Sequence, residues 1–76
     1  MTTDLLARIT HDPGTMGGRP CIRGMRIRVS DVLELFAAEL SAEHILDTLP
    51  DLERADLQAS LQYAAQHVDH PVVRAA

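Results

Sequence analysis

The run Gly17-Gly18-Arg19-Pro20-Cys21-Ile22-Arg23-Gly24-Met25-Arg26-Ile27-Arg28-Val29 constrains the folding of this chain more than any other segment. Its thirteen positions hold four of the seven Arg residues and three of the four Gly residues. Gly17, Gly18 and Gly24 open backbone conformations with φ > 0, and Pro20 removes a donor while setting φ. From Met25 onward, apolar and cationic residues alternate. Met25, Ile27 and Val29 therefore point to one side, and Arg26 and Arg28 to the other. The run predicts a tight turn, a short hairpin and a basic outer face carrying Arg19, Arg23, Arg26 and Arg28.

With 76 residues the chain makes a single domain, near the size at which one core is only marginally stabilising. Its one cysteine excludes an internal disulfide, and no Cys/His cluster has the spacing of a structural zinc site. Small unstapled chains often gain burial by oligomerising, so a homodimer or an obligate partner is expected. The N-terminus lacks the apolar run of a signal peptide, and no segment is long enough to span a membrane. A cytoplasmic protein is expected, with Cys21 a reduced, half-buried thiol.

The net charge of −4 is unevenly spread. Residues 1–29 hold five Arg against Asp4 and Asp12, a balance of +3; residues 30–76 hold Arg54 and Arg74 against nine acids, a balance of −7. Every basic residue is Arg, whose rigid fork suits phosphate or carboxylate. A cationic strand face of this kind is read either as a contact surface or as ordinary solvated charge.

The order of elements follows from local signals. Met1 to Ala7 is a flexible lead-in, and Arg8 to His11 a first short strand stopped by the turn signal Asp12-Pro13-Gly14. The hairpin region spans 8–29. Ser30 is placed to cap a first helix over about Asp31–Glu39, with Val32, Leu35 and Phe36 on its apolar face. Ser41 caps a second, about 42–49, with Ile45, Leu46 and Leu49 inward, and Pro50 ends it. A third, about 53–67, carries one buried stripe of Leu57, Leu61, Ala64, Ala65 and Val68. The domain covers 8–68, and 69–76 reads as a mobile tail.

The fold class is thus mainly α: a short N-terminal hairpin or strands, then three compact helices. The short connection between the last two has helix-turn-helix spacing. A DNA-reading third helix is disfavoured by Asp51, Glu53 and Asp56 at its start, where phosphates would approach. Nucleic-acid contact, if made, is expected from the Arg ribbon.

Other chemistries find little support. The Gly-Gly-Arg-Pro loop lacks phosphate-loop spacing. His67 and His70 lie three apart with no third ligand, while His11 and His44 read as a turn residue and a helix-face residue. Cys21 beside Arg is read as packing. The acids are scattered rather than clustered. No catalytic residues, metal or cofactor are expected, and the chain is read as a non-enzyme.

Ile9, Asp12-Pro13 and the run Gly18 to Val29 resemble the family called domain of unknown function 433. Its members carry a segment close to Gly, Gly or Lys, Arg or Lys, Pro, any residue, Ile-Arg-Gly-Thr-Arg-Ile, any residue, Val. Ser41 to Leu46, Leu49-Pro50-Asp51-Leu52, Asp56-Leu57 and Leu61 to Ala64 are similar to the later elements, so the likeness covers about residues 8–65. Three positions depart from the pattern, the first being Met25, which stands where Thr is commoner and is expected to alter only the hairpin tip. Glu39 or Leu40 stands where the family usually has Gly, so the break after the first helix is expected to lack a left-handed residue. Glu53 replaces the usual Thr, removing a good helix cap.

The resemblance implies a small homeodomain-like or winged-helix-like fold that dimerises. It also implies a VapB-type antitoxin role in a bacterial type II toxin–antitoxin pair, beside a PIN-like ribonuclease toxin. An acid-rich helical half would complement a basic RNA-cutting surface. Operator DNA would meet Arg19, Arg23, Arg26 and Arg28. The alternative is a dimeric protein-interaction module that binds no DNA, its Arg residues paired with carboxylates.

Overall fold

The computed structural model describes residues 4–68; the expected tail 69–76, with His70, lies outside the described residues. The order is a 3-10 turn (Leu5–Arg8), β1 (Ile9–Thr10), a second 3-10 turn (Met16–Gly18), β2 (Cys21–Ile22), α1 (Val29–Ala37), α2 (Ala42–Thr48) and α3 (Arg54–His67). The mainly helical architecture with a short hairpin matches the class read from sequence. Of the expected lead-in, residues 1–3 lie outside the described residues, while Leu5–Ala7 enter the first 3-10 turn, where the Asp4 carboxylate accepts the Leu6 amide at 3.1 Å and the turn packs on α3.

β2 occupies the middle of a small antiparallel arrangement. On one side Ile9 pairs with Ile22 and Thr10 with Cys21. On the other, Cys21 bridges Arg28, the Ile22 amide donates to Ile27 at 2.9 Å, and the Val29 amide donates to Pro20 at 2.9 Å. The predicted hairpin therefore forms across Arg23-Gly24. The Met25 amide closes the turn onto the Ile22 carbonyl at 2.7 Å, with Arg23 and Gly24 at φ 45° and 74°. Positive φ at both central residues is the primed-turn geometry that suits strand twist, and Gly24 adopts it without steric cost. The alternation also holds: Met25 and Ile27 pack against the core, while Arg26 is exposed.

Helix starts differ from expectation in an instructive way. α1 begins at Val29, with Arg28 rather than Ser30 in the capping position. The bridge to Cys21 keeps Arg28 extended, and the Asp31 carboxylate accepts its backbone amide at 2.9 Å, so the first turn closes early. Ser41 caps α2 as read, accepting the His44 amide at 3.1 Å. At α3 the expected loss of a cap is made good from within the helix, because the Asp56 carboxylate accepts the Glu53 amide at 2.8 Å.

The core gathers Ile9, Ile22, Val29, Val32, Ile45, Leu52, Leu57 and Ala59. Cys21 is fully buried, not half-buried, at 2% exposure. The α3 stripe is corrected more substantially. Leu57 is buried and Ala64 half-buried, but Leu61, Ala65 and Val68 face outward. The inward positions are Asp56, Leu57, Ala59 and Ser60, because polar contacts at Asp56 set the rotation of the helix.

The break after α1 does contain a left-handed residue, and it is Glu39 itself at φ 69°. Glu39 donates its amide to Phe36 at 2.8 Å and Leu40 donates to Leu35 at 3.2 Å, the paired bonds of a Schellman cap. A side chain at this φ carries a steric cost that Gly avoids. Glu39→Gly is expected to raise stability by about 1 kcal/mol, read as a higher urea midpoint with an unchanged slope.

Candidate functional site

The backbone ladder places two cationic residues side by side. The Arg23 amide donates to the Arg8 carbonyl at 2.7 Å, so both side chains leave the sheet at the same level. Both reach one carboxylate on α3. Arg23 donates through Nε to Asp56 Oδ1 at 3.1 Å and through Nη2 to Oδ2 at 2.9 Å, and Arg8 Nη1 donates to Oδ1 at 2.9 Å. Asp56 is fully buried. Its remaining capacity goes to the Glu53 amide, while Arg8 also bridges Glu53 at 2.9 Å and Arg23 donates to the Asp51 carbonyl at 2.9 Å. Burial pushes the Asp56 carboxyl up, but the bonds from Arg23, the Glu53 amide and Arg8 outweigh it and hold the group below the ordinary aspartate range.

This pairing reassigns residues read as a surface. Asp56 is not a carboxylate facing an approaching phosphate; it is the buried anchor of the N-terminal hairpin on α3. Arg23 is committed to it. Arg28 is committed as well, donating from Nη2 to Asp31 Oδ1 at 2.8 Å, and this bond is the main reason the Asp31 carboxyl lies below its usual range. Arg8, absent from the sequence-derived candidates, completes the Asp56 cluster. Its place at the start of a predicted strand carried no signal of a partner 48 residues away.

Arg19 and Arg26 are exposed and make no side-chain ion pair with any described residue. They stand on different grooves. Arg19 lies on a groove of about 490 Å³ between α1 and α3, beside Pro20, Val29, Leu33, Tyr63 and Val68. It is presented by the left-handed stretch Met16, Gly17, Gly18, at φ 52°, 68° and 81°. Arg26 lies on a groove of about 440 Å³ between the hairpin and α1–α2, with Ile27, Leu35 and Leu49 on its floor and Asp31 and Glu34 on its rim. The four Arg candidates thus do not form one continuous ribbon. Pro20 serves the hairpin through its carbonyl, and Gly24 the turn.

The histidines fall into place locally. His11 Nε2 lies 3.2 Å from the Tyr63 hydroxyl, so it ties the first loop to α3 and is more than a turn residue. His67 stacks on Tyr63 with ring centroids 4.0 Å apart. Among the described residues no three His, Cys, Asp or Glu side chains converge as metal ligands do. No helix among them is long and apolar enough to cross a membrane.

Removing the shared carboxylate takes from Arg23 its carboxylate partner and leaves Arg8 with Glu53 alone. Asp56→Ala is expected to destabilise the fold by roughly 1.5–3 kcal/mol, measured by urea unfolding. Acid acts in the same direction. Asp56 and Asp31 bind protons more readily unfolded than folded, so their stabilisation is complete at neutral pH. It is lost as pH falls below the ordinary aspartate value of 3.8 and through the lower folded values. Urea midpoints are expected to drop steeply across that acid range, and less so in Asp56→Asn, which starts from a lower midpoint.

No solved structure matches the chain. An uncharacterized protein, y4eO of Sinorhizobium fredii (strain NBRC 101917 / NGR234), is 36% identical over 56 residues, which is 74% of this chain and 25% of that protein. The chain thus spans about a quarter of the length of this curated relative. The family profile described as "Protein of unknown function (DUF433)" matches residues 9–64, a span that contains the hairpin, the Asp56 anchor and all three helices up to Ala64. The chain belongs to the DUF433 family.

Proposed function

We propose that the protein is a cytoplasmic antitoxin-like subunit of a bacterial type II toxin–antitoxin pair, acting by direct contact with a PIN-like ribonuclease toxin. The observation that carries this reading is the division of charge on the folded surface. Arg8, Arg23 and Arg28 are paired with carboxylates of the same chain, whereas Glu34, Glu39, Asp47 and Asp51 are exposed and in no salt bridge with a described residue. What the protein presents over α1 and α2 is therefore anionic, matched to the basic surface that an RNA-cleaving enzyme needs. The groove bearing Glu34 has an apolar floor of Ile27, Leu35 and Leu49 and carries Arg26 at its edge, so it offers a partner both signs of charge around an apolar centre.

A second reading, contact with operator DNA, is favoured by the exposed and unpaired state of Arg19 and Arg26. It rests on these two residues alone, since Arg23 and Arg28 are engaged.

The test is co-purification with the product of the neighbouring reading frame, together with inhibition of its ribonuclease activity. Glu34→Arg combined with Asp47→Arg is expected to weaken inhibition by about tenfold or more, mainly through slower association, with the fold intact. Inhibition unchanged by the double charge reversal removes this face from the reading. For DNA, a gel shift on the upstream region is expected to weaken in Arg19→Ala/Arg26→Ala, with the salt slope falling by roughly two, one per lost phosphate contact. A slope that does not change excludes those contacts.

A further inference from the structure

Tyr63 is the one tyrosine of the chain, and two histidines hold it in place. His11 Nε2 lies 3.2 Å from its hydroxyl, and His67 stacks on its ring with centroids 4.0 Å apart. His67 is itself fixed. Its Nδ1 donates to the Tyr63 carbonyl at 2.9 Å, since a carbonyl can only accept. No other described ring lies against His67.

This aromatic pair lines the groove of about 490 Å³ between α1 and α3, together with the apolar side chains of Val29, Leu33 and Ala64. Two polar groups also line it. Arg28 takes the capping position of α1 in place of Ser30, whose exposed hydroxyl is left to the groove. Arg19 is exposed and in no salt bridge with a described residue. Among the described residues of the lining it is the one with a full charge.

We propose that this groove binds a small aromatic monocarboxylate, a ring bearing one carboxylate on a short chain. The ring stacks on the face of His67 away from Tyr63 and rests against Leu33 and Ala64. The carboxylate takes the Arg19 guanidinium, with the Ser30 hydroxyl as a second donor.

Each part of the ligand answers a part of the site. The planar fork of Arg is filled by the two oxygens of a carboxylate. One guanidinium balances one negative charge, whereas a phosphate dianion would be left half compensated. A cationic ligand would meet Arg19 and be repelled. The Tyr63–His67 stack is flat and held in place, and offset stacking favours a ring over an alkyl chain of equal area. The volume lies within the range of small-ligand clefts. The site is separate from the α1–α2 face, so it stands whether or not that face binds a toxin.

Titration of the full chain with naphthylacetate tests the proposal, followed by nuclear magnetic resonance of the backbone amides and the Tyr63 ring protons. A Kd of about 1 mM or tighter is expected, with shifts centred on Arg19, Ser30, Tyr63 and His67. Arg19→Ala is expected to weaken binding by about tenfold, and the uncharged naphthylacetamide to bind about tenfold more weakly than the acid. Cyclohexylacetate, which cannot stack, is expected to bind about threefold more weakly or worse. Arg54→Ala removes the same charge from the other end of α3 and is expected to leave the Kd unchanged. Asp69→Asn removes the acid that follows Val68 in sequence and is expected to bind no more weakly than the wild type. Should Arg19→Ala fail to fold, the amide and cyclohexyl comparisons on the wild-type chain decide the matter. No binding, equal binding of acid and amide, an unchanged Kd in Arg19→Ala, or binding that appears only in Asp69→Asn overturns the proposal. The last of these would assign Arg19 to the chain's own acid.

Discussion

Two guanidinium groups and one buried carboxylate organise this molecule. Arg8 and Arg23 are neighbours because β1 and β2 pair, and like charges so placed repel unless an anion stands between them. Asp56 is that anion, and its desolvation is tolerable only because the two Arg side chains and the Glu53 amide satisfy it. The arrangement is reciprocal: the sheet needs the helix and the helix needs the sheet. It also decides how α3 is rotated, since the turn carrying Asp56 and Ser60 must face inward. Leu61, Ala65 and Val68 are left outside as a consequence.

The same economy appears at α1, on a smaller scale. Asp31 takes both the backbone amide and the side chain of Arg28, which starts the helix directly off the hairpin with no intervening loop. A run that looks uniformly cationic along the chain is therefore divided in space. Two of its Arg residues are internal fasteners, and two, Arg19 and Arg26, are exposed and in no salt bridge with a described residue. Their separation onto different grooves means that a single partner need not use both.

The surface that results has distinct regions. The α1–α2 side is anionic, with an apolar floor beneath Glu34, whereas the outer side of α3 is apolar and uncharged. The left-handed stretch at Met16–Gly18 belongs to the second region, because it turns the chain so that Arg19 and Pro20 border the α1–α3 groove.

Local signals determined much of this protein. The turn at Arg23-Gly24, the inward Met25 and Ile27, the Ser41 cap and the order of one hairpin and three helices follow from φ preferences, alternation and capping, which act within a few residues. Family membership was equally legible, because the Gly-Arg-Pro to Arg-Ile-Arg-Val run is specific in itself. Tertiary structure alone decided which Arg residues are available, that Asp56 is interior, that Glu39 takes the left-handed cap, and which stripe of α3 is buried. Apart from the Glu39 cap and the Arg28–Asp31 pair, which are local, each depends on groups far apart in the chain. Helical periodicity offers several nearly equivalent apolar stripes, and only a charge pairing across 33 residues, Arg23 to Asp56, selects among them.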